Sequence, residues 1–587
     1  MIRSDVPVPA RDMAVEMGPD DDALLVGSKA QAIRIGRTRL LTVALVFAIS
    51  FVVLGGRLIE LTVIRDPVRS LAFIPASPTK LTAGRAGIVD RNGILLATSL
   101  LTASLYADAR VVRDAPEAAR RLVTVLPELS LSAVLERLAS GRAFVWLKRN
   151  LTPSQQAAVN GLGIPGLYFR DEQHRLYPQG ALESHVLGFT DIDGNGIAGI
   201  EKYFDQEMRN RGPEGQALQL SLDVRVQHVL RDELTAAMER FRAVGAAGVV
   251  MNANSGEILA LASLPDFDPN HPTAAPALAR FNRATKGVYE LGSVFKVLTV
   301  AMALDSGAAK LRGGYDATDP IRMARFTIRD SHAKKRWLSV PEILIYSSNI
   351  GAAKMALDVG RDGQRKYFER FGLLSEPSLE LPEVGRPIIP ARWGEIRTMT
   401  AAYGHGLAVS PVQFATAFAA TVNGGVLLPA TLIKRKPDAR TLGVQVISAQ
   451  TSNQLRRLLR AVVEKGTGRK ADAPGYLVGG KTGTAEKAAA GGYRHDALIS
   501  SFVAAFPMTA PQYVLYLLLD EPQGDGDTHG YATAGWTAAP LAGRVVSRIA
   551  PILGVRPVDD EAAPIQRAMA LPPPSSLHGR GRNVAVN

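Results

Sequence analysis

Three Ser-x-x-Lys tetrads occur in this chain of 587 residues: Ser77/Lys80, Ser293/Lys296 and Ser331/Lys334. The pattern can do chemistry because a serine hydroxyl is a poor nucleophile until a neighbouring base takes its proton. Residues i and i+3 share a helix face, so on a helix the lysine stands beside the serine. The tetrad alone is a weak signal, and context separates the three copies. Pro78 disfavours a continuous helix in the first, and the third lies in the polar stretch Ser331-His332-Ala333-Lys334-Lys335. Ser293 follows Gly292 and leads into the apolar run Val297–Leu304, which predicts a loop-to-helix junction with Ser293 at the helix start. Lys296 can act as a base only when neutral. A positive helix N-terminus and a semi-buried site both disfavour its ammonium. Lowering its pKa by about three units takes roughly 4 kcal/mol, which burial and a second cation could supply.

Two further groups follow. Ser347-Ser348-Asn349 opens the helical run Ile350–Val359, and Lys481-Thr482-Gly483-Thr484 closes a predicted strand. Ser-x-x-Lys, Ser-x-Asn and Lys-Thr-Gly in this order resemble the signature of the penicillin-binding protein and serine β-lactamase superfamily. Other stretches resemble class B penicillin-binding proteins. Asn282-Arg283 and Tyr289-Glu290-Leu291-Gly292-Ser293 look like that class's approach to the nucleophile. Arg85–Gly93, Arg175-Leu176-Tyr177-Pro178 and Gly196–Glu201 look like its N-terminal motifs, and Gly404-His405-Gly406 with Ser410–Gln413 like the loop between its second and third motifs. The resemblance spans about residues 40–555 and leans to the division-specific, monofunctional transpeptidases. Leu291, Val294, Ala86 and His405 depart from the family's usual proline, threonine, glycine and glutamine.

The resemblance implies a mechanism. Ser293 attacks the penultimate D-Ala carbonyl of a stem pentapeptide and Lys296 takes its proton. Ser347, helped by Lys481, relays a proton to the leaving D-Ala. Asn349 holds the substrate backbone. Thr482 and Thr484 bind the terminal carboxylate, with Gly483 between them, and the backbone N–H groups of Ser293 and Thr484 form the oxyanion hole. An amine from a neighbouring stem then resolves the acyl-enzyme, making a cross-link. β-Lactams mimic D-Ala-D-Ala and should acylate Ser293. The strand carrying Lys481–Thr484 should be an edge strand to which an extended peptide can add. No metal cluster or phosphate loop is visible, so neither a metal nor a cofactor is expected.

The elements that must position these residues read as α+β. Val224–Arg242 has helical periodicity, with Ser221 or Asp223 as N-cap. Ala246–Asn252, Asn254-Ser255-Gly256 and Glu257–Ser263 form a hairpin signal. Strands are expected at Tyr476–Thr484, Ile499–Ala505 and Gln512–Leu519, with a closing helix over Ala534–Ile552. This predicts an antiparallel sheet between helical layers over 219–557, the penicillin-binding/β-lactamase-like transpeptidase fold. An α+β pedestal is expected over 63–218, the dimerisation-type domain of class B, with helices at Ala115–Leu126 and Ser132–Ala139. Residues 558–587 read as a disordered tail and 1–36 as a cytoplasmic tail.

Between them, Leu40–Gly56 is uncharged over 17 residues, with Arg39 and Arg57 at its ends and Lys29, Arg34 and Arg37 upstream. That length reaches roughly 25 Å, close to a hydrocarbon core of ~30 Å. We read 37–62 as a single-pass transmembrane helix with its N-terminus cytoplasmic. The catalytic domain is then periplasmic on a bacterial inner membrane. The 68 basic against 55 acidic residues give a net charge of +13. Part of that charge marks the cytoplasmic flank. No basic–aromatic cluster supports nucleic-acid binding. The absence of cysteine excludes disulfide scaffolds, cysteine proteases, thiolate zinc sites and iron–sulfur chemistry.

The reading is a septal D,D-transpeptidase. Its partners would be stem pentapeptides, β-lactams, and, by family inference, a polytopic septal glycosyltransferase and other divisome membrane proteins. An elongation-type class B transpeptidase, a hydrolytic β-lactamase or carboxypeptidase, and a non-catalytic divisome scaffold remain the alternatives.

Overall fold

The computed structural model describes residues 41–56, 84–323, 326–436, 442–489 and 492–572. Residues 41–56 are helical, with exposed side chains that include Leu45, Phe47, Phe51 and Val52. Among the described residues no helix is long and apolar enough to cross a membrane. The rest of the expected span, 37–40 and 57–62, lies outside the described residues, as does the tail 1–36. This helix falls in a unit separate from the compact unit that begins at residue 82.

The N-terminal part of the larger unit is built on β1 (Ile88–Val89), β2 (Leu95–Ala107), β3 (Val145–Leu151), β4 (Leu167–Leu176) and β5 (Leu218–Gln219). The long β2 pairs antiparallel with β1, β3 and β4, and β1 pairs in parallel with β5. Three helices, α1 (Ala115–Val125), α2 (Leu131–Leu138) and α3 (Pro153–Gly161), cover one end. They bury Leu122, Val134, Leu138 and Val159 with Leu105 and Leu147 in a separate small core. Asp114 and Thr152 cap α1 and α3, each with a proline in the first turn where the missing N–H costs nothing.

The base of this region has no core of its own. Ala86, Ile88, Leu96, Tyr177 and Ile200 share one hydrophobic cluster with residues as distant as Phe414 and Leu518. At that base the three motif stretches meet on a buried carboxylate. Glu201, fully buried, accepts from Arg85 Nε at 2.8 Å and Arg175 Nε at 2.6 Å. Arg175 also donates to the Ala86 carbonyl, and Arg85 pairs with Asp205. Removing one partner from such a group typically costs 3–5 kcal/mol because a buried charge is left unpaired. Nearby, Glu183 is 1% exposed and neither carboxylate oxygen has a hydrogen-bond partner. Burial, reinforced by Asp90, pushes its carboxyl up to about 8, so at neutral pH it is mostly protonated.

The C-terminal part follows the predicted plan. It contains α4 (Val224–Arg240), β6 (Gly245–Asn252), β7 (Ile258–Leu264), α5 (Lys296–Asp305), α6 (Asn349–Val359), α7 (Pro411–Val422), α8 (Ala449–Lys465), β8 (Gly479–Ala489), β9 (Gly492–Phe506), β10 (Tyr513–Asp520) and α9 (Ala538–Ile552). The sheet order is β8-β9-β10-β6-β7, antiparallel throughout. Side chains alternate between faces along each strand. Val514, Tyr516 and Leu518 of β10 enter the large core with α5, α7 and α8. Leu515, Leu517 and Leu519 enter a second core with α4 and α9. Both faces of β10 are therefore covered, which is why its sequence reads as a nearly unbroken apolar run. Asp223, not Ser221, caps α4; the Ser221 hydroxyl donates instead to the Ile258 carbonyl.

Against the disordered tail expected over 558–587, α10 (Ala563–Met569) forms, and Met569 and Leu571 pack against the large core. Asp560 anchors the approach by accepting from the Gly475 N–H at 3.2 Å. The run of prolines begins only after this packed segment, and 573–587 lies outside the described residues.

Candidate active site

Ser293 lies in a 3-10 turn, Gly292–Phe295, that runs directly into α5, so Lys296 is the first residue of the α-helix. The turn is pressed against β8. Gly292 has φ +64°, and a Cβ there would stand 2.5 Å from the Thr484 carbonyl oxygen. A Cβ on Gly483 would stand 2.5 Å from the Leu291 carbonyl oxygen. Both contacts require glycine. They seat the nucleophile turn against the edge strand with no side chain between. Leu291 and Val294, two of the four departures from the family pattern, are fully buried.

Ser347 precedes α6 with φ +59°, a left-handed conformation that costs a non-glycine residue of order 1–3 kcal/mol. Asp330 braces it. Its carboxylate accepts from Ser348 Oγ at 2.7 Å, from the Asn349 N–H at 2.6 Å and from the Ile350 N–H at 3.0 Å. Ser348 Oγ in turn accepts from the Gly351 N–H. These bonds satisfy three N–H groups of the first turn of α6. The Asn349 amide donates to the Arg329 carbonyl at 2.8 Å.

The three sequence groups meet on two lysines. Lys296 Nζ lies within hydrogen-bond distance of four oxygens: Ser293 Oγ at 3.0 Å, Ser347 O at 2.6 Å, Ser347 Oγ at 3.1 Å and Asn349 Oδ1 at 2.7 Å. Lys481 Nζ reaches the same Ser347 Oγ at 3.0 Å, and Thr482 Oγ1 at 3.1 Å. Both lysines are fully buried. Burial first and Lys481 second hold the Lys296 amine well below the usual lysine range, with Asp330 pulling the other way. Burial pushes Lys481 down to about 7. These are the two causes the sequence reading called for.

A cleft of about 880 Å3 opens over Ser293, Ser347, Asn349, Thr482 and Thr484. Its wall includes the basic side chains of Arg329, Arg469 and Lys470, and also Tyr403, His405 and Glu486. The carboxylate-binding expectation for Thr482 and Thr484 meets hydroxyls already in use. Thr482 Oγ1 lies 2.8 Å from Thr467 Oγ1, and Thr484 Oγ1 accepts from the Ala534 N–H at 3.1 Å, leaving its own proton free to donate. β8 is the edge strand of its sheet, as expected.

Sequence reading missed Asp330 and Thr467. Asp330 immediately precedes the discarded Ser331/Lys334 tetrad, and Ser331 itself lines the cleft. That cluster was chemically meaningful, but as a wall and brace, not as a second nucleophile.

Comparison with known proteins places the chain in a family. Residues 246–545 match the family model of the penicillin binding protein transpeptidase domain, and residues 80–219 match the penicillin-binding protein dimerisation domain. The chain is 43% identical over 482 residues to the probable peptidoglycan D,D-transpeptidase FtsI of Caulobacter vibrioides, covering 80% of this chain and 82% of that protein. It is 32% identical to the probable peptidoglycan D,D-transpeptidase PenA of Neisseria meningitidis, over 81% of this chain and 86% of that one. The crystal structure of a peptidoglycan synthetase from Bifidobacterium adolescentis has the same fold, with a TM-score of 0.65 at 23% identity, covering 83% of this chain and 98% of that one.

Proposed function

The chain belongs to the class B penicillin-binding proteins of the FtsI type, and from that premise we propose that it cross-links peptidoglycan at the division septum through an acyl-enzyme on Ser293. Its reaction is that of a peptidoglycan D,D-transpeptidase. The observation that carries the site assignment is the buried Lys296 amine, 3.0 Å from Ser293 Oγ and held well below the usual lysine range by burial and by Lys481.

In the proposed mechanism Lys296 takes the Ser293 proton as Oγ attacks the penultimate D-Ala carbonyl. The backbone N–H groups of Ser293 and Thr484 stabilise the oxyanion, a contribution of about 3–4 kcal/mol per donor in comparable sites. Ser347, in contact with both lysines, passes a proton to the leaving D-Ala. Asn349 orients the donor strand. Thr482, Thr484 and the basic side chains of the cleft wall receive its terminal carboxylate. The amine of a neighbouring stem then displaces Ser293. β-Lactams, as mimics of the donor, would acylate the same oxygen.

The helical, apolar stretch 41–56 supports a single-pass anchor over 37–62, with the catalytic domain over 219–557 and the pedestal over 63–218 on the periplasmic side of the inner membrane. A polytopic glycosyltransferase and other divisome proteins are the partners such an anchor would meet. Fluorescent penicillin should label the wild type and not Ser293→Ala. Labelling that survives the substitution would sink the assignment of the nucleophile. Septal localisation of a tagged chain, against lateral-wall localisation, separates the division role from the elongation role.

A further inference from the structure

We propose that His405 is the group that receives the acceptor amine and takes the proton from its ammonium before that amine attacks the acyl-enzyme. The inference rests on the transpeptidase reading above.

The reaction needs such a group. An aliphatic amine has a pKa of about 10.4, so at neutral pH roughly 99.9% of it is ammonium without a lone pair. Lys296, Ser347 and Lys481 can carry only the proton that must end on Ser293 Oγ. The ammonium brings one more, and nothing in that group is placed to remove it.

His405 has the required placement. It lines the same cleft as Ser293 and Thr484. Its loop is fixed to the nucleophile turn, since a Cβ on the preceding Gly404 would stand 2.3 Å from the Gly292 carbonyl oxygen. The ring lies between Tyr403 and Tyr493, with centroids at 5.4 and 5.6 Å. Nδ1 is 3.4 Å from Glu290 Oε2, and the Tyr493 hydroxyl donates to the same carboxylate at 2.9 Å. Glu290 thereby favours the tautomer with hydrogen on Nδ1, and Nε2 keeps its lone pair. Among the described residues Nε2 has no hydrogen-bond partner, and the side chain is 28% exposed. The charged and titratable groups around it come from every neighbouring element. They are Glu290 before the nucleophile, Lys296 on α5, Tyr403 in its own loop, Glu486 and Tyr493 on β8 and β9, and Arg397 beneath Gly406. Burial outweighs the carboxylates and holds the imidazole below its ordinary range, so it is neutral at pH 7. Glu290 and Glu486 make the space beside His405 attractive to a cation. The basic residues of the wall suit the donor's carboxylate.

The step balances. The acceptor ammonium gives one proton to His405 Nε2 and becomes a free amine. The amine nitrogen bonds the acyl carbon, and the C–Oγ bond to Ser293 breaks. The second amine proton passes through Lys296 to Ser293 Oγ. The imidazolium returns its proton to water through the open cleft.

The test compares two half-reactions on the purified full chain. Acylation is followed with fluorescent penicillin, and aminolysis by transfer of a D-Ala thioester donor to a primary aliphatic amine with a pKa of about 10.4. The reading is the ratio of aminolysis to acylation between about pH 7 and 9. Lys296 serves both steps, so its ionisation cancels in the ratio. In the wild type the ratio should be flat, because the reactive complex holds ammonium and neutral imidazole. In His405→Gln only free amine from solution can react. The ratio should fall at least about tenfold at pH 7.5 and then climb about tenfold per pH unit toward the amine pKa. Glu290→Gln removes a charge that raises the His405 pKa, and should extend the flat region to lower pH. Equal loss in both half-reactions, or a ratio with the same pH dependence in His405→Gln and wild type, would overturn the proposal. A wild type that penicillin does not acylate would instead refute the functional reading beneath it.

Discussion

Asp330 was invisible in the sequence, and replacing it tests whether the Ser-x-Asn group depends on a brace outside any motif. Its carboxylate accepts three hydrogen bonds, two of them from backbone N–H groups at the start of α6. Loss of a helix cap costs about 0.5–2 kcal/mol, and a negative charge at a helix N-terminus adds roughly 0.3–1 kcal/mol. Asp330→Ala should therefore destabilise the chain by about 1–3 kcal/mol, read as a shift in the urea midpoint. The kinetic effect should be larger. Ser347 holds a strained φ of +59° next to this cap, and Asn349 is one of the residues the carboxylate fixes. A displacement near 1 Å at such a position can cost about a hundredfold in rate. The second-order rate of acylation by penicillin should fall by one to two orders of magnitude in protein shown to be folded. Asp330→Asn, which keeps one acceptor oxygen, should lie between. Acylation within twofold of the wild type in folded Asp330→Ala would refute the brace.

Two further outcomes follow from buried charge. Lys481 is the second cause depressing the Lys296 amine, so Lys481→Met should raise the Lys296 pKa and move the acidic limb of the acylation profile to higher pH, whatever it does to the maximal rate. An unmoved limb would show that burial alone sets Lys296. Glu183 has its folded-state carboxyl raised from 4.5 to about 8. The unfolded chain thus releases the proton first, and the group destabilises the fold increasingly as pH rises from about 4.5 to 8. Glu183→Gln should raise stability by about 2–4 kcal/mol at pH 8 and change it little at pH 4, as measured by denaturant unfolding at both values.

The parts of the site written as local pattern were legible. Ser293 and Lys296 announce themselves by i,i+3 spacing before an apolar run, and the hairpin at 245–264 by two apolar runs around Asn254-Ser255-Gly256. Strand ends were less legible. β9 begins at Gly492, seven residues before the expected Ile499, because its first residues are exposed and polar and carry no apolar signal, yet they ladder to Lys487–Ala489. Asp330 acts across 18 to 20 residues, over an intervening strand and helix, and no periodicity marks such a contact. The same holds for Glu201, whose motif could be read but whose two arginine partners, 116 and 26 positions away, could not be joined to it. The packed helix at 563–569 was hidden by its neighbours: the prolines after Leu571 dominate the local composition, while Met569 and Leu571 find their partners in the core.

The two lysines that share Ser347 Oγ set a limit on how much proton the site can store. They lie 3.1 and 3.0 Å from one oxygen, and both are fully buried. Two ammonium ions in that volume would repel strongly with little solvent to screen them, so the pair titrates as a unit and holds at most one proton near neutral pH. Occupancy then alternates between zero and one in each half-reaction. Under the proposed mechanism the proton taken from Ser293 is the one returned to the leaving amine, and the one taken from the acceptor is returned to Ser293. Each half-reaction then passes a single proton around the site, and the pH outside enters only through how often the pair begins the cycle empty.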